Sequence, residues 1–165
     1  ERISALSGDP DSCGKFRKRH VCIGVSGLIN SNVWIIDNKN VTGHTLVLED
    51  DFHIEHLHKI TTVVNTILDD DWDVIRFDCW QGPKPSFPRI RFGFRTTKPV
   101  DGWYCGGTHA VLWRGDRIHK LREIWGASIK EMGLDCYLAS NDIKSYCLNV
   151  GVGYVLKFGS DIIKN

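Results

Sequence analysis

Several things are missing from this chain, and each absence removes a class of function. No apolar run approaches the ~20 residues a membrane-spanning helix needs, so no transmembrane segment is expected. No basic start followed by an apolar core occurs at the beginning, so "ERISALSGDP" does not read as a signal peptide. The chain opens abruptly on a strand-like stretch, and we expect that an upstream segment has been trimmed. Charge of one sign is also missing: 21 Lys and Arg stand against 20 Asp and Glu, a net charge of +1. With basic residues concentrated only in loops, no nucleic-acid partner and no anionic membrane are expected. The six cysteines include no CxxC pair, which argues against a zinc knuckle. There is no internal repeat and no low-complexity tract.

What is present reads as one globular domain over residues 1–165, 42% apolar and 25% charged, long enough to bury a sizeable core. Cys13, Cys22, Cys79, Cys105, Cys136 and Cys147 are dispersed, and either disulfides or buried thiols fit them. A single sequon, Asn40-Val41-Thr42, falls in the loop-like "DNKNVTG". Cysteines and sequon together lean toward the secretory pathway.

Along the chain, "RISALSG" reads as a short strand and the basic cluster Lys15–Arg19 as a solvated loop. "VCIGVSGLINSNVWIIDN" spaces Val21, Val25, Leu28, Ile29, Trp34 and Ile35 at roughly helical intervals. "HTLVLED" reads as a buried strand. "DFHIEHLHKITTVVNTIL" predicts an amphipathic helix with Ile54, Leu57, Ile60, Val64, Ile67 and Leu68 on one face. "WDVIRFD" is a second buried strand. Residues 80–103 hold four of the five prolines and five basic residues against one acid. Such a long irregular segment is uncommon unless functional. "YCGGTHAVLW" resumes as a strand, and "GDRIHKLREIW" predicts a helix with Asp116 as N-cap. "DCYLASNDIKSYCLNV" predicts another helix, and "GYVLKF" a last strand. Strands alternating with helices imply an α/β fold with a largely parallel central sheet flanked by helices.

The sharpest feature is "LVLEDDF": three apolar residues run directly into Glu49, Asp50 and Asp51. In open α/β sheets, ligands sit outside the carboxyl ends of strands. On an extended backbone Glu49 and Asp51 share one side and Asp50 points to the other. Two carboxylates there can share a hard divalent cation, manganese or magnesium, which would relieve their repulsion. The bland alternative is that the acids start the next helix, where its dipole favours negative charge. His109 could reach the same cation from the opposite side, or serve as hydrogen-bonded structure. His53, His56 and His58 lack the HExxH spacing, and 58 lies well round a helix from 53, so they make a poor zinc site. Arg89, Arg91 and Arg95 could meet phosphate or an anionic acceptor, or stay solvated. Trp80, Trp103 and Tyr104 could stack on a sugar face or anchor the loop.

"HTLVLEDDFHIEHLHKI", followed at a helix's distance by "DDDWDVIRFD", resembles glycosyltransferase family 25, which includes lipopolysaccharide glycosyltransferases and collagen galactosyltransferases. "ERISALSG", "GGTHAVLWRGDRIHKL" and "DCYLA" are similar to further family segments in the same order, so the resemblance covers most of the chain. The family's Ser-His falls on Ser26-Gly27, where the histidine is absent. Its first strand and nucleotide-binding turn would precede Glu1, so the expected sheet lacks that strand.

The resemblance implies a GT-A-like fold and a metal-dependent transfer of a hexose from a nucleotide-diphosphate sugar, a UDP-sugar foremost, to an acceptor hydroxyl with inversion. The diphosphate charge of such a transfer needs neutralising, and Glu49 and Asp51, with His109 opposite, are the candidate ligands for manganese or magnesium. The resemblance implies a general base at Asp135, or at Asp78 in reserve, either of which could instead be a cap. Asp50, Arg89, Arg91 and Trp103 would bind donor or acceptor. The acceptor would be a glycan, a lipid-linked species or a protein. The compartment would be the endoplasmic reticulum or Golgi lumen, a virus- or host-associated equivalent, or the cytoplasm of a bacterium. The alternatives are a non-catalytic carbohydrate- or partner-binding domain with a degenerate form of the fold, and a metal-dependent phosphoester hydrolase.

Overall fold

The computed structural model describes residues 4, 6–12, 19–39, 43–67, 71–77, 89–91, 94–96, 107–123, 138, 143–148 and 152–156. The elements are α1 (Arg19–Asn38), β1 (Thr45–Leu48), β2 (Phe52–Ile54), α2 (Leu57–Ile67), β3 (Val74–Arg76), β4 (Arg89–Arg91), β5 (Phe94–Thr96), β6 (Ala110–Trp113), β7 (Ser145–Leu148) and β8 (Gly153–Val155). A short 3₁₀ turn, Gly115–Arg117, leads into helical residues 118–123. The fold is mixed α/β.

Six strands form one sheet in the order β1-β6-β3-β7-β5-β4, and β2 pairs with β8 in a separate two-stranded sheet. The sheet is mixed rather than largely parallel. Only β3–β7 is a parallel pair among the described ladders, while β1–β6, β3–β6, β5–β7 and β4–β5 are antiparallel. The cause is the place of β6, which inserts antiparallel between β1 and β3 and leaves those two running in the same direction.

Alternation along the strands builds two cores, one on each face. Val47, Val74, Val111 and Trp113 point to a core closed by Val25, Leu28, Ile29, Val33 and Ile36 of α1 and by Ile118 and Leu121. Leu46, Ile75, Ala110 and Leu112 point to the other, closed by Ile60, Val63 and Val64 of α2 and by Phe52 and Val155 of the small sheet. Strands buried on both faces read as continuous apolar runs, as "VI" and "AVLW" do, while the edge strand β1 is half-buried and its Leu48 is exposed.

Local expectations are corrected in several places. Residues 52–54 are a strand, not the start of a helix: Phe52 is buried, His53 exposed and Ile54 half-buried, a period of two, and α2 begins at Leu57. Ser145–Leu148 is a strand, where "SYCL" alternates buried and half-buried beside β3 and β5. Asp116 is not an N-cap; it lies inside the 3₁₀ turn and accepts from Arg114 Nε at 2.7 Å. On α1, Ile36 rather than Trp34 reaches the core; Trp34 is half-buried with the Lys39 ammonium 5.1 Å from its ring. Within 80–103, β4 and β5 pair antiparallel with an irregularity between Arg89 and Arg91.

Residues 6–9 form no strand and instead lie against α1. Leu6 N–H bonds Ser31 Oγ at 2.9 Å and Asp9 N–H bonds Ser26 Oγ at 2.8 Å. A Cβ on Gly8 would stand 1.8 Å from the Ile23 carbonyl oxygen, so this approach requires glycine. Cys22 of α1 is disulfide-bonded, while Cys147 keeps a buried thiol. No described helix is long and apolar enough to cross a membrane.

Candidate metal centre

The acidic knot is assembled by a turn, not by an extended strand. Glu49 continues β1 by one residue, its N–H donating to the His109 carbonyl at 2.8 Å. Since Leu48 faces Ala110 in the ladder, Glu49 and His109 stand opposite each other as a cross-strand pair at the mouth of β6. The chain then reverses: Phe52 N–H donates to the Glu49 carbonyl at 3.1 Å, with Asp50 and Asp51 as central turn residues. Leu156 N–H holds the Asp51 carbonyl at 2.7 Å, tying this turn to the chain beyond β8.

The result is a trio. Ligand atoms of Glu49, Asp51 and His109 all lie within 4.8 Å of one another. His109 Nε2 stands 4.0 Å from Glu49 Oε2, too far for a hydrogen bond. His109 is buried, and the two acids are half-buried. Thr108 Oγ1 donates to the other Glu49 oxygen, Oε1, at 2.8 Å. Gly107 precedes Thr108 with φ at 108°, a left-handed conformation that delivers the chain into β6.

One oxygen tests whether these residues fit a cation. Asp51 Oδ1 is shielded from solvent and has no hydrogen-bond partner. Shielding an unsatisfied acceptor costs ~1–3 kcal/mol, more for a charged group. Ligands at ~2.1 Å on opposite sides of an ion are ~4.2 Å apart, so a side-chain rotation closes the observed spacing. Two carboxylates and one imidazole suit manganese, which accepts both donor types. The residues present fit such an ion.

Among the described residues this is the one trio of His, Cys, Asp or Glu side chains with such spacing, and the histidines of "HIEHLH" form none. His53 lies on β2 with its ring 5.1 Å from that of Tyr154, and the His56 and His58 rings meet edge-on at 5.8 Å. Asp50 is exposed at the turn. Arg89 and Arg91 lie on β4, at the opposite edge of the large sheet from β1. Asp78, Asp135 and Trp103 lie outside the described residues, as do the side chains of Arg89 and Arg91.

Thr108 and Gly107 are neighbours of this trio that reading the sequence missed. Their signal was the small polar run "GGTH" at a strand entrance. A second cluster was also missed, at the other end of β3. Buried Asp73 accepts from Arg117 Nη1 at 2.9 Å and from Lys144 N–H at 2.9 Å. Lys120 Nζ stands 3.7 Å away. Asp71 pairs with Lys144 Nζ and with Arg117 Nη2. The hydrogen bond from Lys144, with that from Arg117, holds the Asp71 carboxyl below the usual range.

No family model matches the chain, and no curated protein matches it.

Proposed function

We propose that this chain is a metal-dependent glycosyltransferase domain with a GT-A-like fold, related in kind to family 25. It transfers a hexose from a nucleotide-diphosphate sugar, a UDP-sugar foremost, to an acceptor hydroxyl with inversion. One observation carries this reading: Glu49, Asp51 and His109 converge at the carboxyl end of β1 around a shielded Asp51 oxygen without a partner. That is the edge of an α/β sheet at which ligands bind.

Glu49, Asp51 and His109 would hold manganese or magnesium, whose positive charge would offset the negative charge growing on the leaving diphosphate. The chain's own residues supply the rest. An inverting transfer needs a carboxylate to take the acceptor proton, and Asp135 is the first candidate. Asp78 is the second; it follows Phe77, whose N–H bonds the Ala110 carbonyl at 2.9 Å, one residue from His109. Arg89, Arg91, Trp103 and Asp50 are assigned to donor and acceptor. The Cys22 disulfide supports an oxidising compartment such as the secretory lumen.

A second reading, a non-catalytic carbohydrate- or partner-binding domain, is favoured by one observation. Gly27 takes the place of the family's histidine, and a Cβ there would stand 2.8 Å from the Leu6 carbonyl oxygen. That position serves packing rather than chemistry.

A thermal-shift screen of nucleotide sugars with and without manganese separates the two. A manganese-dependent rise in Tm with one nucleotide sugar supports the transferase, because a ligand of the native state stabilises it by mass action. No shift with any donor, while manganese alone still binds, moves the non-catalytic reading to the front.

A further inference from the structure

We propose that Thr108 is a positioning residue that sets which cation the Glu49–Asp51–His109 site accepts; this rests on the metal-site reading above. Its hydroxyl has one proton, and that proton is given to Glu49 Oε1 at 2.8 Å. Glu49 Oε2 is the oxygen that faces His109, 4.0 Å from Nε2. Thr108 thus holds Oε1, and Oε2 is the oxygen on the His109 side.

The backbone enforces this arrangement. Glu49 and His109 are locked opposite each other by the 2.8 Å hydrogen bond between Glu49 N–H and the His109 carbonyl. Thr108 is adjacent to His109, and buried Gly107 with φ at 108° fixes the direction from which it enters. A β-branched side chain is stiff at χ1, so the hydroxyl has little freedom to leave Glu49.

The consequence is selectivity. Calcium takes six to eight oxygen ligands and commonly uses both oxygens of one carboxylate; smaller divalent ions are content with six ligands at short range. Imidazole ligation also favours first-row transition ions over calcium. With one lone pair of Oε1 taken by the Thr108 hydroxyl, two-oxygen chelation by Glu49 is disfavoured. That suits manganese and handicaps calcium. Without the hydroxyl, Oε1 loses that donor and the two-oxygen mode becomes easier.

The test is Mn²⁺ binding to the full chain, followed by electron paramagnetic resonance, with Ca²⁺ measured by competition. Wild type, Thr108→Val, Thr108→Ser and Asp51→Asn are compared, with thermal melts in chelator to verify folding. Thr108→Ala provides the same hydroxyl loss should the valine variant not fold. The expected result is that Thr108→Val binds Mn²⁺ about 10-fold more weakly, the lower end of effects from groups that orient metal ligands. Calcium affinity should fall less or rise, so the Mn²⁺/Ca²⁺ ratio drops, and Thr108→Ser should keep the wild-type ratio. An unchanged ratio in Thr108→Val, with Asp51→Asn losing Mn²⁺, overturns the role of Thr108 and leaves the metal site standing. Equal losses for both ions in valine and serine variants reduce Thr108 to packing and also overturn it. A wild-type chain that binds no Mn²⁺ overturns the metal site and this role together.

Discussion

Replacing Asp51 by asparagine should make the metal-free protein more stable, not less. Asp51 Oδ1 is shielded without a partner, and its carboxylate stands within 4.8 Å of ligand atoms of Glu49 and His109. Two unit charges at that separation repel by about 3 kcal/mol at an effective dielectric of ~20, and by about 1 kcal/mol if water screens them fully. The uncompensated acceptor adds ~1–3 kcal/mol. Asparagine has the same shape, removes the charge, and offers an N–H₂ that can donate to Glu49. A gain of about 2 kcal/mol is a conservative sum, and for a chain of this size it raises Tm by ~4–8 °C.

Manganese should reverse the order. At 100 times its Kd a ligand stabilises the native state by ~2.7 kcal/mol, a gain that Asp51→Asn would largely forfeit. Differential scanning calorimetry in chelator and in saturating Mn²⁺ therefore predicts a crossing: the variant melts higher without the ion, the wild type higher with it. If Asp51→Asn melts lower in chelator, Asp51 makes a stabilising contact in the empty site and the reasoning about its orphaned oxygen is refuted. If manganese raises both proteins equally, Asp51 is not a ligand.

Three other perturbations follow from the same geometry. Asp73→Ala removes the buried acceptor of Arg117 and of the Lys144 N–H, and should cost about 2–4 kcal/mol in urea unfolding, since it strips a buried ionic partner while Arg117 keeps Asp71. Gly107→Ala forces a side chain onto a backbone at φ 108°; it should cost ~1–3 kcal/mol and, by displacing Thr108 and His109, weaken Mn²⁺ binding as well. Asp37 and Asp71 have lowered pKa values, through the hydrogen bonds of Arg122 and of Lys144 and Arg117 respectively. Their contribution is present above the ordinary carboxylate pKa and lost as pH falls through the lowered folded-state values. Asp71→Asn should accordingly flatten the acid limb of a stability–pH curve, most visibly at low salt.

Much of this was legible in the residues because burial writes simple patterns. "VIRF" and "AVLW" are fully buried and, with the half-buried "LVL", read as strands without ambiguity, and Ile60 and Val64 mark the inner face of α2. "FHI" and "SYCL" were misread because three or four residues with one polar member fit a helix turn as well as a strand. What decides them is tertiary: β8 is there to pair with Phe52–Ile54, and β3 and β5 with Ser145–Leu148. The parallel expectation failed for a similar reason. Strand–helix alternation implies parallel neighbours only if each connection is a helical crossover, and the described residues between β3 and β6 (77–109) include the antiparallel β4–β5 pair. At the site, Glu49 and Asp51 were read as sharing one side of an extended strand. They do converge, but because a turn at Asp50–Asp51 folds the chain back, and no local pattern distinguishes those two routes.

The two ionic clusters show why one end of the sheet is the candidate for chemistry and the other is not. At the amino end of β3, carboxylates and cations are matched: Asp73 and Asp71 face Arg117, Lys144 and Lys120 at hydrogen-bonding or ion-pair range. Among the described residues these charges are matched, so the cluster ties β3, β7 and the helical residues 118–123 together. At the carboxyl end of β1, Glu49 stands beside the His109 imidazole and the Thr108 hydroxyl, and among the described residues Asp51 Oδ1 has no hydrogen-bond partner. A chain selected only for stability would fill that position with an apolar or amide side chain. Retaining a destabilising carboxylate there is accounted for if the missing charge is supplied from outside, and the crossing of melting temperatures on adding manganese measures that external charge directly.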